Sequence, residues 1–107
     1  MRRDVFQAIA DPTRRDIINL IAGQTLTPNA VAESFDVSRQ AISKHIRILT
    51  ECGIVIITQE GRERHCYVQP EALKEVADWL EGFRKLWDYR FDKLDSILAQ
   101  MKKKKNK

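Results

Sequence analysis

Cysteine is scarce in this chain of 107 residues: it has two, Cys52 and Cys66. Two are too few for a disulfide framework, and they lack the CxxC spacing of a zinc or redox motif, so reduced thiols are expected. Long apolar runs are missing too. None approaches the roughly 18 residues of a membrane span, and Met1-Arg2-Arg3 leads into Asp4 and Gln7 instead of a signal-peptide core. These absences predict a cytoplasmic protein with no membrane partner. Only 4 glycines and 3 prolines interrupt the chain, and 43% of it is hydrophobic, enough for a core. So short a domain leaves much apolar surface uncovered unless it pairs, which points to a dimer. No nucleophile, base and oxyanion donor converge in the sequence, which argues against an enzyme.

The charge is unevenly spread. The net charge is +4, yet Lys102, Lys103, Lys104, Lys105 and Lys107 crowd the end, and the rest of the chain is almost neutral. Residues 38–69 are net basic, through Arg39, Lys44, Arg47, Arg62 and Arg64, whereas residues 70–101 are net acidic. The lysine run 102–107 reads as a disordered tail beyond a domain spanning 1–101, able to raise non-specific DNA affinity.

Periodicity predicts a mainly α fold with a small β-hairpin. Val5, Phe6 and Ile9 mark a first helix that stops at Asp11-Pro12, where a capping Asp and a Pro at the first helical position open a second. Gly23 is expected to end that helix in the left-handed conformation. Thr27-Pro28 repeats the start signal for a short helix to Phe35, and Ser38 caps a fourth over residues 39–52, ended by Gly53. Residues 54–58 and 64–69 then read as two strands joined across Glu60-Gly61-Arg62. From Pro70 to Met101 apolar residues recur at steps of three and four, predicting one long amphipathic helix that Gly82 could kink.

The fourth helix carries the chemistry. At about 100° per residue, Arg39, Gln40, Ser43, Lys44 and Arg47 share one arc, opposite Ile42, Ile46 and Leu49. A solvated face normally mixes charges of both signs, and from Arg39 to Arg47 this arc has no carboxylate. Such side chains suit base edges and phosphates in a major groove wide enough for an α-helix. Ser38 opens a helix start that favours a phosphate, and Arg62 and Arg64 extend the basic surface at the hairpin. Double-stranded DNA is the expected partner.

Ala10-Asp11-Pro12-Thr13-Arg14-Arg15-Asp16-Ile17-Ile18, residues 38–49, Cys52-Gly53-Ile54-Val55 and Gly61-Arg62-Glu63-Arg64 together resemble the ArsR/SmtB family. The likeness runs in the family's order and spacing up to the lysine tail. It implies a homodimeric winged helix-turn-helix transcriptional regulator, usually a repressor, with Arg39, Gln40, Ser43 and Lys44 where members touch DNA. Many members hold metal through cysteines on the helix before the reading helix, or through histidines on the last one. Residues 27–35 contain no Cys and the last helix no His, so neither a metal nor another cofactor is expected. With Trp79, Trp87 and Phe91, the last helix resembles the family's autorepressor-type branch, which lacks those sites.

The dimer interface is expected from the first helix (Val5, Phe6, Ile9) and the last (Leu80, Phe83, Trp87, Phe91, Leu94, Leu98). Other readings stay open. Cys52 and Cys66 read best as packing residues and alternatively as a redox sensor, and Trp79, Trp87, Tyr89 and Phe91 alternatively line an effector pocket, the effector being unknown. His45 reads as a structural group, and His65 as one within reach of a phosphate. The fold could also serve as a protein- or RNA-binding module.

Overall fold

The computed structural model describes residues 4–105. The order is α1 (Val5–Ile9), α2 (Pro12–Gly23), α3 (Pro28–Glu33), α4 (Arg39–Glu51), β1 (Val55–Glu60), β2 (Glu63–Val68), a 3-10 turn (Pro70–Leu73) and α5 (Lys74–Lys105). The Met1-Arg2-Arg3 start, and Asn106 and Lys107 at the other end, lie outside the described residues.

Local chemistry sets each helix start. Asp4 accepts from Gln7 N at 2.9 Å, Asp11 from Thr13 N at 2.8 Å and Arg14 N at 3.2 Å, and Thr27 from Ala30 N at 3.2 Å. Pro12 and Pro28 each follow their cap as the first helical residue, where the missing N–H is no loss. The helix ends differ. Gly53 is left-handed at φ 78°, with Gly53 N bonded to Thr50 O and Ile54 N to Leu49 O, both at 3.0 Å. This is the Schellman arrangement, and it folds Ile54 back into the core. Gly23 does not follow suit. It stays right-handed as the last residue of α2, and extended Gln24, at φ −164°, ends the helix. The expected left-handed stop is thus absent, and the chain leaves α2 through an extended residue after the glycine.

Two units make up the chain, Met1–Glu75 and Val76–Lys107. In the first, Ala8, Ile17, Ile21, Val31, Ile42, Leu49, Ile54, Val55 and Cys66 are buried. A fully buried aliphatic side chain such as Leu49 contributes about 1.5–3 kcal/mol. The hairpin pairs Val55 with Val68 through Glu60 with Glu63. Its turn is therefore Gly61-Arg62, one residue shorter than predicted, and Gly61 at φ 65° supplies the positive first position that a tight II′ turn needs. Leu26, before α3, bridges to Cys66 through Cys66 N and Leu26 O at 2.8 Å. A single residue of pairing carries no periodicity, and the sequence did not announce it.

The second unit is the continuous helix α5, unbroken at Gly82. It includes residues 102–105 of the expected disordered tail. Lysine is a good helix former, and cations suit a helix C-terminus, so nothing in those residues stops the helix.

Candidate nucleic-acid interface

Ser38 opens α4 by accepting from Ala41 N at 3.1 Å, which leaves the next backbone N–H groups at the helix start pointing outward. Along α4, Ile42, Ile46 and Leu49 are buried while Arg39, Gln40, Ser43, Lys44 and Arg47 are exposed. Ser38, Arg39, Gln40, Ser43 and Arg47 line one open depression. Ser43 and Arg47 also line a second, with Pro28, Ile46, Thr50, Glu51, Ile57 and Arg64. A third is formed by Thr27, Pro28, Asn29, Arg62, Glu63 and Arg64. Shared walls make these one continuous surface from the start of α4 to the tip of the hairpin. Seven of the eight residues read from the sequence meet there. The eighth, Lys44, is exposed on α4 but lines none of the three depressions.

The hairpin register explains how the wing presents cations despite carrying two carboxylates. Residues paired across a ladder share a face. The pairs Ile57–Cys66 and Gln59–Arg64 thus put Arg64 on the face that covers the core. Glu60 and Glu63 fall on the other face with Thr58, His65 and Tyr67. There His65 Nε2 lies 3.2 Å from Glu63 Oε2 and 3.8 Å from Glu60 Oε2, and the Tyr67 hydroxyl donates to Glu60. That bond, some burial and the charge of Glu60 raise the Tyr67 pKa and keep the phenol protonated. Glu63 still reaches the depression at the start of α3 beside Arg62 and Arg64, but its carboxylate is held close to His65. His65, read as a phosphate contact, is engaged with the wing's own carboxylates.

Several residues at this surface escaped the sequence reading. Thr27 and Pro28 signal only the start of α3 and Asn29 carries no signal of its own, while Thr50, Glu51 and Ile57 join the groove only because α4 and the hairpin converge. Arg14 belongs to the Asp11-Pro12-Thr13-Arg14-Arg15 motif, which by itself shows no role for it. Its Nε donates to Ala8 O at 2.6 Å and Nη2 to Gln7 O at 3.1 Å, while Nη1 lies 3.3 Å from His45 Nδ1. Arg15 grips Ile9 O at 2.7 Å and Ala10 O at 3.2 Å. Both arginines donate to carbonyls at the end of the short helix α1, of which Gln7 O also accepts from Ala10 N at 3.2 Å.

Among the residues expected at a dimer interface, Val5 is buried in the chain's own core, and Phe6 and Ile9 are half-buried. On α5, Leu80, Phe83, Trp87, Phe91, Leu94 and Leu98 are all exposed, Trp87 at 47% and Phe91 at 65%. Trp79 meets Phe83 edge-on at 5.1 Å between ring centroids, and Phe83 stacks on Trp87 at 6.4 Å. The thiols are separate: Cys52 caps the end of α4 and Cys66 is buried in β2. Burial pushes the Cys66 thiol up against the opposing pull of Arg64. No three His, Cys, Asp or Glu side chains gather into a metal-holding group among the described residues.

A helix-turn-helix domain family matches residues 9–58. The transcriptional repressor SdpR of Bacillus subtilis is 32% identical over 80 residues, 75% of this chain and 89% of the relative. An ArsR-like transcriptional regulator from a Rhodococcus species is 33% identical and superposes with a TM-score of 0.67, over 87% of this chain and 88% of that one. The chain belongs to the ArsR family. As an ArsR-family protein it is a winged helix-turn-helix, DNA-binding transcriptional regulator and not an enzyme. A winged helix-turn-helix DNA-binding domain from Mycobacterium bovis, described as homodimeric, shares the ArsR fold at 23% identity, with a TM-score of 0.57 over 78% of this chain and 75% of that one. No helix among the described residues is long and apolar enough to cross a membrane.

Proposed function

We propose that the protein is a repressor that binds a near-palindromic operator as a two-fold homodimer in the cytoplasm. One observation carries this reading: the exposed face of α4, without a carboxylate from Arg39 to Arg47, runs continuously into the wing arginines. In it, α4 enters the major groove, Gln40 reads a base edge and Ser43 and Arg47 reach base or backbone. Arg39 and Lys44 meet phosphates at the groove edge, the N–H groups after Ser38 hold another, and Arg62 and Arg64 follow the backbone. The apolar stripe of α5 pairs with a second copy, since a stripe at helical spacing this exposed marks an interaction surface. The repressor SdpR and the homodimeric domain from Mycobacterium bovis support the reading by likeness.

The thiol-sensor alternative is weaker. A thiol pushed up by burial stays protonated and unreactive, which leaves Cys66 as packing. Selection of duplexes from a randomised pool tests the proposal. The expected product is a near-palindrome whose half-sites lie about one helical turn, roughly 34 Å, apart. A pool without enrichment, or an enriched single half-site bound by one chain, would overturn it.

A further inference from the structure

We propose that Arg14 is a positioning residue for DNA reading: its guanidinium, clamped on the last carbonyls of α1, sets the rotation of α4 through a hydrogen bond to His45 Nδ1. The inference rests on the reading role proposed for α4. The Arg14 side chain is only 12% exposed, and its remaining ion partner, Asp11 Oδ2, is 3.9 Å away. A guanidinium that dry persists only if its donors are occupied. Gln7 O and Ala8 O take two of them, and a third points at His45 on a different helix. Arginine has no acceptor. The bond therefore requires His45 Nδ1 to be the bare, accepting nitrogen, with the ring proton on Nε2.

The consequence lies on the opposite side of α4. His45 projects away from the arc of Arg39, Gln40, Ser43 and Arg47. At the far end of α4 the Cys52 thiol, a weak donor, reaches Asp4 O at 3.5 Å. The buried side chains of α4 are the aliphatic Ile42, Ile46 and Leu49, whose burial has no preferred direction. A hydrogen bond does have one, and it weakens steeply as it bends. A rotation of about 20° about the helix axis would swing a side-chain tip about 6 Å from that axis by about 2 Å. That is enough to lose a bidentate contact to a base edge. Lysine cannot replace arginine here, because a single ammonium does not span three acceptors in a fixed fork. The tie also joins α1 to α4, so a shift of α1 would be felt at the reading face.

The test uses the full chain and a duplex enriched from a randomised pool, with a shuffled duplex as the control. The readout is the ratio of the two affinities, which a loss of stability alone would not change. Arg14→Lys and His45→Ala should each lower that ratio about tenfold. The Arg14→Lys, His45→Ala double variant should lower it no further, and His45→Gln, whose amide oxygen restores an acceptor, should recover most of it. His45→Ala leaves Arg14 on both carbonyls, so the fold is kept. Side-chain 15N spectra of the wild type should show His45 protonated on Nε2 alone. An unchanged ratio in His45→Ala, additive losses in the double variant, or a proton on Nδ1 would overturn the proposal. A pool with no enriched duplex would overturn the operator reading instead, and the His45 spectrum then decides the tie by itself.

Discussion

Replacing Arg64 by alanine isolates the electrostatic part of the DNA contact. Arg64 is exposed on β2, and it lines both the groove against α4 and the depression at the start of α3. Its removal should therefore leave stability within about 0.5 kcal/mol. A neutralised phosphate contributes about 0.9 to the slope of log affinity against log salt. Losing one contact lowers the slope by that amount, so a fourfold rise in salt should weaken the variant about 3.5-fold less than the wild type. The loss at any one salt concentration should be equal for an enriched and a shuffled duplex, because a phosphate carries no sequence. Fluorescence anisotropy titrations between about 50 and 200 mM salt measure both quantities. An unchanged slope would remove the wing from the interface, and a loss confined to the enriched duplex would show that Arg64 reads a base.

Gln40→Ala should cost about 1–3 kcal/mol of binding and relax preference at one base pair; equal loss on all duplexes would reduce Gln40 to a backbone contact. Trp87→Glu puts a carboxylate in the middle of the exposed stripe of α5. It should give a monomer in sedimentation, and a dimer of unchanged mass would refute the seam. Asp11→Ala should cost about 1 kcal/mol at neutral pH as a lost cap. Partial burial raises the Asp11 pKa, but the Arg14 N–H, the Thr13 N–H and the Arg14 charge together hold it below its ordinary 3.8. The native state thus favours the carboxylate, and the stabilisation present above the unfolded value fades as pH falls through the lower folded one. Chemical unfolding at several pH values should show the gap between wild type and variant closing below about 3.8; a gap constant to lower pH would show that the charge contributes nothing.

The helices were legible because their starts are written in single residues: Asp11-Pro12, Thr27-Pro28 and Ser38 each bring a cap to the right position. The donor face of α4 was legible for the same local reason, since helical period alone groups Arg39, Gln40, Ser43 and Arg47. What the sequence hid depends on partners far along the chain. The bridge of Leu26 to Cys66 is one residue long, and the clamp of Arg14 on His45 joins residues 31 apart. The hairpin was found, but its turn was read one residue too long. The register, which pairs Glu63 with Glu60 and Arg64 with Gln59, is what puts Glu63 on the opposite face from Arg64. The lysine run was read as disordered from its charge, although lysine itself does not oppose a helix.

The most direct test of the central claim is the affinity of the intact protein for an enriched duplex against shuffled duplexes of the same composition, at one physiological salt concentration. A face that reads bases should give a preference of at least about a thousandfold, with two chains bound per duplex. Equal, salt-sensitive binding to every duplex would contradict it, leaving the basic surface to recognise charge alone.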